Sequence, residues 1–203
     1  TALTDLTLSN TRLADGDLTA EGAGALAALS SLSRLSLQGN LLHGSEGLRD
    51  CLLACPALTC LDLSDNKVQG QCWRHVSNGT STVITALYLQ GNELHIGGSL
   101  ALGEICHANT RLASLQLGAT WRSRTGISAL EIDWIRISLK SAVALTELFL
   151  HGDPPYGEVL GDEGVQTVTL MAVNCPRLAT LDLSFNRITD AGAGRLALGM
   201  RSG

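Results

Sequence analysis

Histidine and cysteine carry the most versatile side-chain chemistry in this sequence, because both can act as nucleophiles or metal ligands. The five histidines lie far apart and form no His-Glu-x-x-His pattern. Cys51 and Cys55 are four residues apart, a spacing that would place both thiols on one helix face. No Cys-x-x-Cys pair or histidine pair completes a zinc site with them, so we predict core cysteines and no bound metal.

Two glycine-rich stretches have the composition of a phosphate-binding loop. They are Glu21-Gly-Ala-Gly-Ala and Ala191-Gly-Ala-Gly-Arg, and both lack the preceding strand and the Lys-Ser/Thr step of such a loop. They occupy equivalent places in two repeats, which indicates close helix packing instead. No feature brings a Ser, a His and an Asp together for nucleophilic catalysis either. The sequence therefore predicts a protein that is not an enzyme and binds no cofactor.

One leucine-rich pattern, L-x-x-L-x-L-x-x-N-x-L, recurs along the whole chain and is most complete at Leu58–Val68 and Leu178–Ile188. Seven units begin at Leu3, Leu32, Leu58, Ile84, Leu112, Leu145 and Leu178, with spacings of 29, 26, 26, 28, 33 and 33 residues. The asparagine is replaced in units 1, 5 and 6 by Thr11, Thr120 and Asp153. Such self-similarity is the signature of a repeat architecture, so we predict a single domain over residues 1–203, as part of a longer chain.

Each unit is predicted to contain one short strand with an apolar back. In L-x-L both leucines point to one side and the residue between them to the other. One such strand cannot bury its leucines alone, but stacked copies can pair in parallel and share a core. The asparagine side chain can bond backbone groups of its turn and of the neighbouring unit. Strands about 4.8 Å apart and helices roughly 8–10 Å apart cannot stack straight. The predicted fold is therefore an α/β solenoid with a concave parallel sheet and convex helices.

The segments that return from one strand to the next are predicted to be helical in most units. Apolar residues at helical spacing indicate helices at Thr19–Ser30, Ser45–Cys55, Ser99–His107, Ile127–Ser141, Asp162–Cys175 and Asp190–Met200. Ser45 is predicted to cap the second of these helices. The buried face of the fourth is predicted to consist of Ile127, Leu130, Trp134 and Ile137. The return segment of unit 3, Gly70–Thr82, is predicted to be mostly irregular.

The repeat pattern resembles that of the leucine-rich-repeat family over essentially the whole chain. The long units, and the run Asn186-Arg-Ile-Thr-Asp-Ala-Gly in the last one, are similar to the ribonuclease-inhibitor-like subclass. That subclass includes ribonuclease inhibitors, the sensor ends of nucleotide-binding immune receptors and Ran-type GTPase activators. The steps Cys55-Pro56 and Cys175-Pro176 are similar to the repeats of F-box proteins. The resemblance implies a horseshoe-shaped arc that binds other proteins.

Charge and hydropathy argue against two classes of partner. The chain carries a net charge of −5 and a pI of about 5.4, which disfavours binding to nucleic acid or to anionic membranes. No apolar run approaches the roughly 18 residues of a spanning helix, and the N-terminus has no basic and apolar leader. The six cysteines show no disulfide framework. We therefore predict free thiols and an intracellular, cytoplasmic location.

The strand residues that lie between the leucines are predicted to face a partner. Most are small and polar, but Tyr88 and Phe149 are aromatic, which is typical of binding hot spots. Units 5 and 6 are both 33 residues long, and each carries an insertion just after its strand, on the same rim. The predicted partner-binding residues are Tyr88, Gln90, Trp121, Arg122, Arg124, Glu147, Phe149, His151, Tyr156 and Glu158. Two alternatives stay open: the rings have no partner, or the two insertions only pair with each other, Arg to Glu.

These patterns predict a non-catalytic protein–protein interaction module or scaffold. Its protein partner would bind the concave face and the rim that carries the insertions of units 5 and 6. One alternative is a sensor or substrate-receptor segment of a multidomain protein, similar to nucleotide-binding immune receptors or F-box proteins. Another is a Ran-type GTPase-activating protein, in which an exposed arginine reaches the phosphate. Arg12, in the turn of unit 1, is the nearest candidate for that role.

Overall fold

A computed structural model describes residues 3–79, 83–120, 127–129, 131–152 and 159–201. Its strands are β1 (Asp5–Thr7), β2 (Arg34–Ser36), β3 (Cys60–Asp62), β4 (Ala86–Tyr88), β5 (Ser114–Gly118), β6 (Glu147–His151) and β7 (Thr180–Asp182). They form one sheet in chain order, and every neighbouring pair is parallel. Each unit contributes one strand, so the predicted α/β solenoid of seven repeats is confirmed.

The register of the sheet follows the leucines. The central leucine of each strand pairs with that of the next, which gives one row of Leu6, Leu35, Leu61, Leu87, Leu115, Leu148 and Leu181. These leucines share a core with the apolar side chains of the return segments. The strand residues on either side of the leucines point away from this core. Except for Gly118 they keep part of their surface exposed.

The α-helices of the described chain lie in the return segments. They are α1 (Ala20–Ala27), α2 (Glu46–Leu53), α3 (Trp73–Gly79), α4 (His95–Ala108), α5 (Glu131–Ser138), α6 (Gly161–Asn174) and α7 (Asp190–Arg201). Short 3-10 helices lie at Asp15–Asp17, Gly70–Cys72 and Leu139–Ser141. Each α-helix packs against the next one along the chain. Ser45 caps α2 as predicted, because its hydroxyl accepts a hydrogen bond from the amide of Leu48 at 3.3 Å.

The prediction of an irregular return segment in unit 3 is wrong. A 3-10 turn at Gly70–Cys72 leads directly into α3. The reason is Trp73, which is only 1% exposed and donates a hydrogen bond from Nε1 to the carbonyl oxygen of Glu93 at 2.9 Å. Trp73 and Val76, which is also buried, thus hold on the core a helix whose sequence shows little apolar periodicity.

The predicted buried face of α5 is also wrong. Ile127 is buried but precedes the helix, whereas Trp134 and Ile137 are 42% and 48% exposed. The residues that α5 and its extension bury are Ile132, Ile135 and Leu139. Ser128 and Glu131 form a reciprocal cap at the N-terminal end of α5, with hydrogen bonds of 3.0 and 3.1 Å. Leu130, the fourth member of the predicted face, lies outside the described residues.

Buried asparagines tie four of the turns to the unit before them. Nδ2 of Asn66 donates to the carbonyl oxygens of Leu63, at 2.9 Å, and Leu37, at 3.0 Å. Its Oδ1 accepts a hydrogen bond from the amide of Leu42 at 3.2 Å. The same arrangement recurs at Asn40, Asn92 and Asn186. This ladder confirms the predicted role of the motif asparagine, and it satisfies backbone groups that would otherwise be buried and unpaired.

Close helix packing explains only part of the two glycine-rich stretches. A Cβ at Gly192 would contact the carboxylate of Asp162, so there the prediction is confirmed. At Gly22 the nearest atom is 3.8 Å away, and at Gly24 and Gly194 nothing lies within 4 Å. For these three glycines the packing explanation is wrong, since a methyl group would fit at each of them.

Candidate protein-binding face

The side of the sheet away from the core presents three parallel rows of side chains, because every strand is paired in the same register. We call this side the open sheet face. Its middle row, defined here as Asp62, Tyr88, Gln116, Phe149 and Asp182, crosses β3 to β7 at one residue per strand. Neighbouring strands are about 4.8 Å apart, so the row extends over roughly 19 Å. The two rings thus stand in one line, each beside a carboxylate.

Tyr88 is partly buried and held from both sides. Its hydroxyl interacts with Cys60 on β3 and with Ser114 on β5. Burial is the main reason why the pKa of the Tyr88 hydroxyl is raised above its usual value, with Cys60 adding to the effect. Burial likewise raises the pKa of the Cys60 thiol. The phenol is therefore neutral at ordinary pH, and its ring is presented in a fixed orientation.

Phe149 belongs to a four-residue cluster at the end of the sheet. Its ring is stacked on His151 with a centroid separation of 6.2 Å and an interplanar angle of 24°. Nε2 of His151 lies 3.0 Å from Oδ2 of Asp182, whose Oδ1 accepts a 2.5 Å hydrogen bond from the Ser184 hydroxyl. The hydrogen bond from Ser184, more than the nearby His151, lowers the pKa of the Asp182 carboxyl. Because the carboxylate separates serine from histidine, His151 is not placed to activate Ser184 as a nucleophile.

Three further carboxylates of this face have no basic neighbour in the part of the chain that the structure describes. Asp62 accepts hydrogen bonds from the Ser36 hydroxyl, at 3.1 Å, and from the Ser64 amide, at 2.9 Å. Asp65 contacts Gln38 and Thr120, and Glu147 is exposed. No described Lys or Arg lies within 4.0 Å of these three carboxylates. The central part of the open sheet face is therefore negatively charged.

The sheet is longest in units 5 and 6, two of the three units that lack the motif asparagine. β5 and β6 continue for two residues beyond the other strands, through the pairs Leu117 with Leu150 and Gly118 with His151. Gly118 has a φ of +99°, and a Cβ there would contact the carbonyl oxygen of His151. The amide of Ala119 then donates to that same carbonyl oxygen at 2.8 Å. The residues that lead into the two insertions are thus neighbours, as the repeat alignment predicts.

Five of the ten predicted partner-binding residues lie on the open sheet face: Tyr88, Gln90, Glu147, Phe149 and His151. The other five, Trp121, Arg122, Arg124, Tyr156 and Glu158, lie outside the described residues. Within the described chain, Oε1 of Gln90 is buried and has no hydrogen-bond partner. Asp62 and Asp182 are absent from the predicted set, although the repeat alignment alone places them in line with Tyr88 and Phe149.

The remaining chemistry of the described residues is limited. They contain no group of three or more His, Cys, Asp or Glu side chains that could hold a metal ion. Arg12, the candidate arginine of the GTPase-activating alternative, is exposed in its turn with a φ of +63°. A search of the described helices found none that is long and apolar enough to cross a membrane. A cleft of about 140 Å³ between α3 and α4, lined by Gln71, Arg74, Leu100 and Glu104, lies away from the sheet.

A match to a family model supports the repeat architecture. Two segments, residues 54–71 and 174–197, match a family model described as Leucine Rich repeat. These segments contain units 3 and 7, whose motifs are the most complete. Among solved structures, the chain is similar to an internalin (inlF) from Listeria monocytogenes strain 4b F2365, with 17% identity and a TM-score of 0.40. The similarity covers 85% of this chain and 54% of the internalin chain, so this chain spans about half of that one. The ribonuclease-inhibitor-like subclass stays a prediction.

Proposed function

We propose that this chain is a non-catalytic protein-interaction module and that its partner docks on the open sheet face. The observation that carries the proposal is the middle row, in which Tyr88 and Phe149 are partly exposed at fixed positions of one sheet. Aromatic side chains of this kind dominate the energetics of protein–protein interfaces.

The rigidity of the scaffold supports the same function. Each ring stands on a strand that is paired on both sides, and both strands carry leucines of the shared core. Little side-chain and backbone freedom then remains to be lost on binding, and this loss is a principal cost of association. A flat row of preorganised side chains therefore suits the recognition of a protein surface better than that of a small molecule, which needs a concave pocket.

The insertions of units 5 and 6 are proposed to extend this surface. Ala119 and Gly152, which precede them, directly follow the neighbouring strands β5 and β6 at the same end of the sheet. Loops rooted on a rigid sheet commonly carry binding residues. On this proposal Trp121, Arg122, Arg124, Tyr156 and Glu158 add contacts at the rim beside Phe149 and His151.

The proposal is tested by measuring how much partner binding is lost when the rings of Tyr88 and Phe149 are removed. Partners captured from a lysate by the tagged wild-type chain are identified by mass spectrometry, and the affinity of each purified partner is then measured. The double variant Tyr88→Ala, Phe149→Ala should weaken binding at least tenfold, since hot-spot truncations cost about 2 kcal/mol or more. Leu170→Ala, at a 50% exposed position on α6, is the matched control and should have no effect.

Circular dichroism and thermal unfolding establish that the variants keep the fold. A partner that binds the double variant as tightly as the wild type, while Leu170→Ala weakens it, would place the interface on the helices. That outcome would rule out the open sheet face as the docking surface.

A further inference from the structure

The middle row has a near-symmetrical order of chemical groups: carboxylate, ring, amide, ring, carboxylate. Tyr88 and Phe149 are two strands apart, which corresponds to about 10 Å. Asp62 is the neighbour of Tyr88 on one side, and Asp182 is the neighbour of Phe149 on the other. From this order we propose, building on the function proposed above, that the partner is a basic protein segment. Two of its arginine or lysine side chains would stack on Tyr88 and Phe149.

Charge complementarity is the first argument for a basic occupant. In the described chain the carboxylates of Asp62, Asp65 and Glu147 have no Lys or Arg within 4.0 Å. An apolar partner would remove water from these charges without replacing it, which is costly. An acidic partner would be repelled. A cationic side chain instead forms favourable contacts with both a carboxylate and the face of a ring.

The two carboxylates that would act are Asp62 and Glu147, rather than Asp182. Asp182 is already engaged by His151, at 3.0 Å, and by Ser184, at 2.5 Å. Glu147 lies two residues before Phe149 on β6, on the same side of the sheet, and is exposed. Within the described chain, Asp62 accepts hydrogen bonds from a hydroxyl and an amide, both neutral donors. Asp62 and Glu147 are thus two carboxylates beside the rings that no described Lys or Arg neutralises.

The distance between the rings defines the spacing of the basic residues. In a polyproline II segment, which has three residues per turn, residues three apart lie on the same side and are separated by about 9 Å. In a helix, residues seven apart are separated by about 10.5 Å. The occupant therefore carries Arg or Lys at one of these two spacings. Arginine fits better than lysine, because its planar guanidinium stacks on a ring while it donates to a carboxylate.

Labelled synthetic peptides test the chemistry directly on the full chain. Peptides with two arginines at each of the two spacings are compared with matched peptides in which citrulline replaces arginine, since citrulline keeps the shape and loses the charge. Fluorescence anisotropy gives the dissociation constants at low and high salt. We expect one arginine peptide to bind at least tenfold more tightly than its citrulline partner, and to weaken with salt.

Variants of the chain test where the arginine peptide binds. Asp62→Asn combined with Glu147→Gln should weaken the arginine peptide about tenfold, and Tyr88→Ala combined with Phe149→Ala should do the same. Glu46→Gln, which removes one exposed carboxylate on α2, is the control on the helix side and should have no effect. Equal binding of arginine and citrulline peptides, no binding up to about 1 mM, or an unchanged affinity in the carboxylate variant would each overturn the proposal.

Affinity measurements with the partner captured by the tagged chain distinguish a failure of this proposal from a failure of the proposed function. If its affinity depends on the rings but not on Asp62, Glu147 or salt, the docking surface stands and the basic occupant is wrong. If its affinity depends on neither pair of residues, the open sheet face itself is wrong.

Discussion

The hydroxyl of Thr120 contacts the carboxylate of Asp65, although the two residues are 55 positions apart and a complete repeat lies between them. Thr120 occupies the place of the motif asparagine in unit 5. Its contact with Asp65 connects the end of β5 with the turn after β3. The loss of the asparagine is thus accompanied by a longer-range contact and by a longer β5.

Removal of the Thr120 hydroxyl should lower stability. Thr120→Val keeps the shape of the side chain but ends its hydrogen bond to Asp65, for which we expect a loss of about 1–2 kcal/mol because the acceptor is charged. Urea unfolding followed by circular dichroism measures the change. Thr180→Val, at an exposed position of the edge strand β7, is the control and should be neutral. Equal stability of Thr120→Val and the wild type would show that the contact contributes nothing.

Asn66→Ala should be among the most destabilising changes in the chain. It leaves the buried amide of Leu42 without its partner. The carbonyl oxygens of Leu37 and Leu63 each lose one of two side-chain donors and keep the other, from Asn40 and Asn92. At about 1–3 kcal/mol for the unpaired amide and about 1 kcal/mol for each of the two other lost hydrogen bonds, a total loss of roughly 3 kcal/mol or more is expected. Asn78→Ala, on the exposed surface of α3, should change the free energy of unfolding by less than about 0.5 kcal/mol. Similar effects of the two substitutions would contradict the role of the ladder.

Two glycine substitutions should change the free energy of unfolding in opposite directions. Gly118→Ala places a Cβ against the carbonyl oxygen of His151 at a φ of +99°, so a loss of about 2 kcal/mol or more is expected. Gly24→Ala lies in α1 with nothing within 4 Å of the new methyl group, and should stabilise by about 0.5–1 kcal/mol. Thermal unfolding of both variants provides the test. A stable Gly118→Ala protein would mean that the β5–β6 extension does not need this glycine.

Asp182→Asn should remove part of the acid dependence of stability. The Ser184 hydrogen bond, with His151 adding to it, lowers the pKa of Asp182 in the folded chain. Its stabilising contribution is therefore complete above the unfolded pKa of about 3.9, and it is lost as the pH falls through the lower folded pKa. The difference in unfolding free energy between wild type and variant should be present near pH 5 and shrink toward pH 3. Urea unfolding at several pH values measures this difference.

Ser184→Ala is the matched variant for that titration. It keeps the carboxylate but removes the hydroxyl that donates to it at 2.5 Å, so it should reproduce most of the effect of Asp182→Asn. Parallel profiles of wild type and Asp182→Asn down to pH 3 would refute the assignment.

Much of the candidate site was accessible from the repeat alignment. Because the seven strands pair without any shift of register, the alignment of the leucines also aligns the residues between them. Tyr88 and Phe149 were therefore predictable members of one face. Which carboxylates already have side-chain partners was not predictable, since the pairing of Asp182 on β7 with His151 on β6 depends on side-chain positions.

The sequence by itself determined the number of units, the parallel strands and the asparagine ladder, because all three depend on short-range spacing repeated many times. Only the tertiary structure decided which face of α5 is buried, the formation of the helix that contains Trp73, and the contact from Thr120 to Asp65. In α5 two apolar stripes are available, and the cap at Ser128 together with the core selects one of them. The other two features join residues 20 and 55 positions apart. Neither of these two contacts is part of the repeat pattern, so the periodicity of the sequence does not predict them.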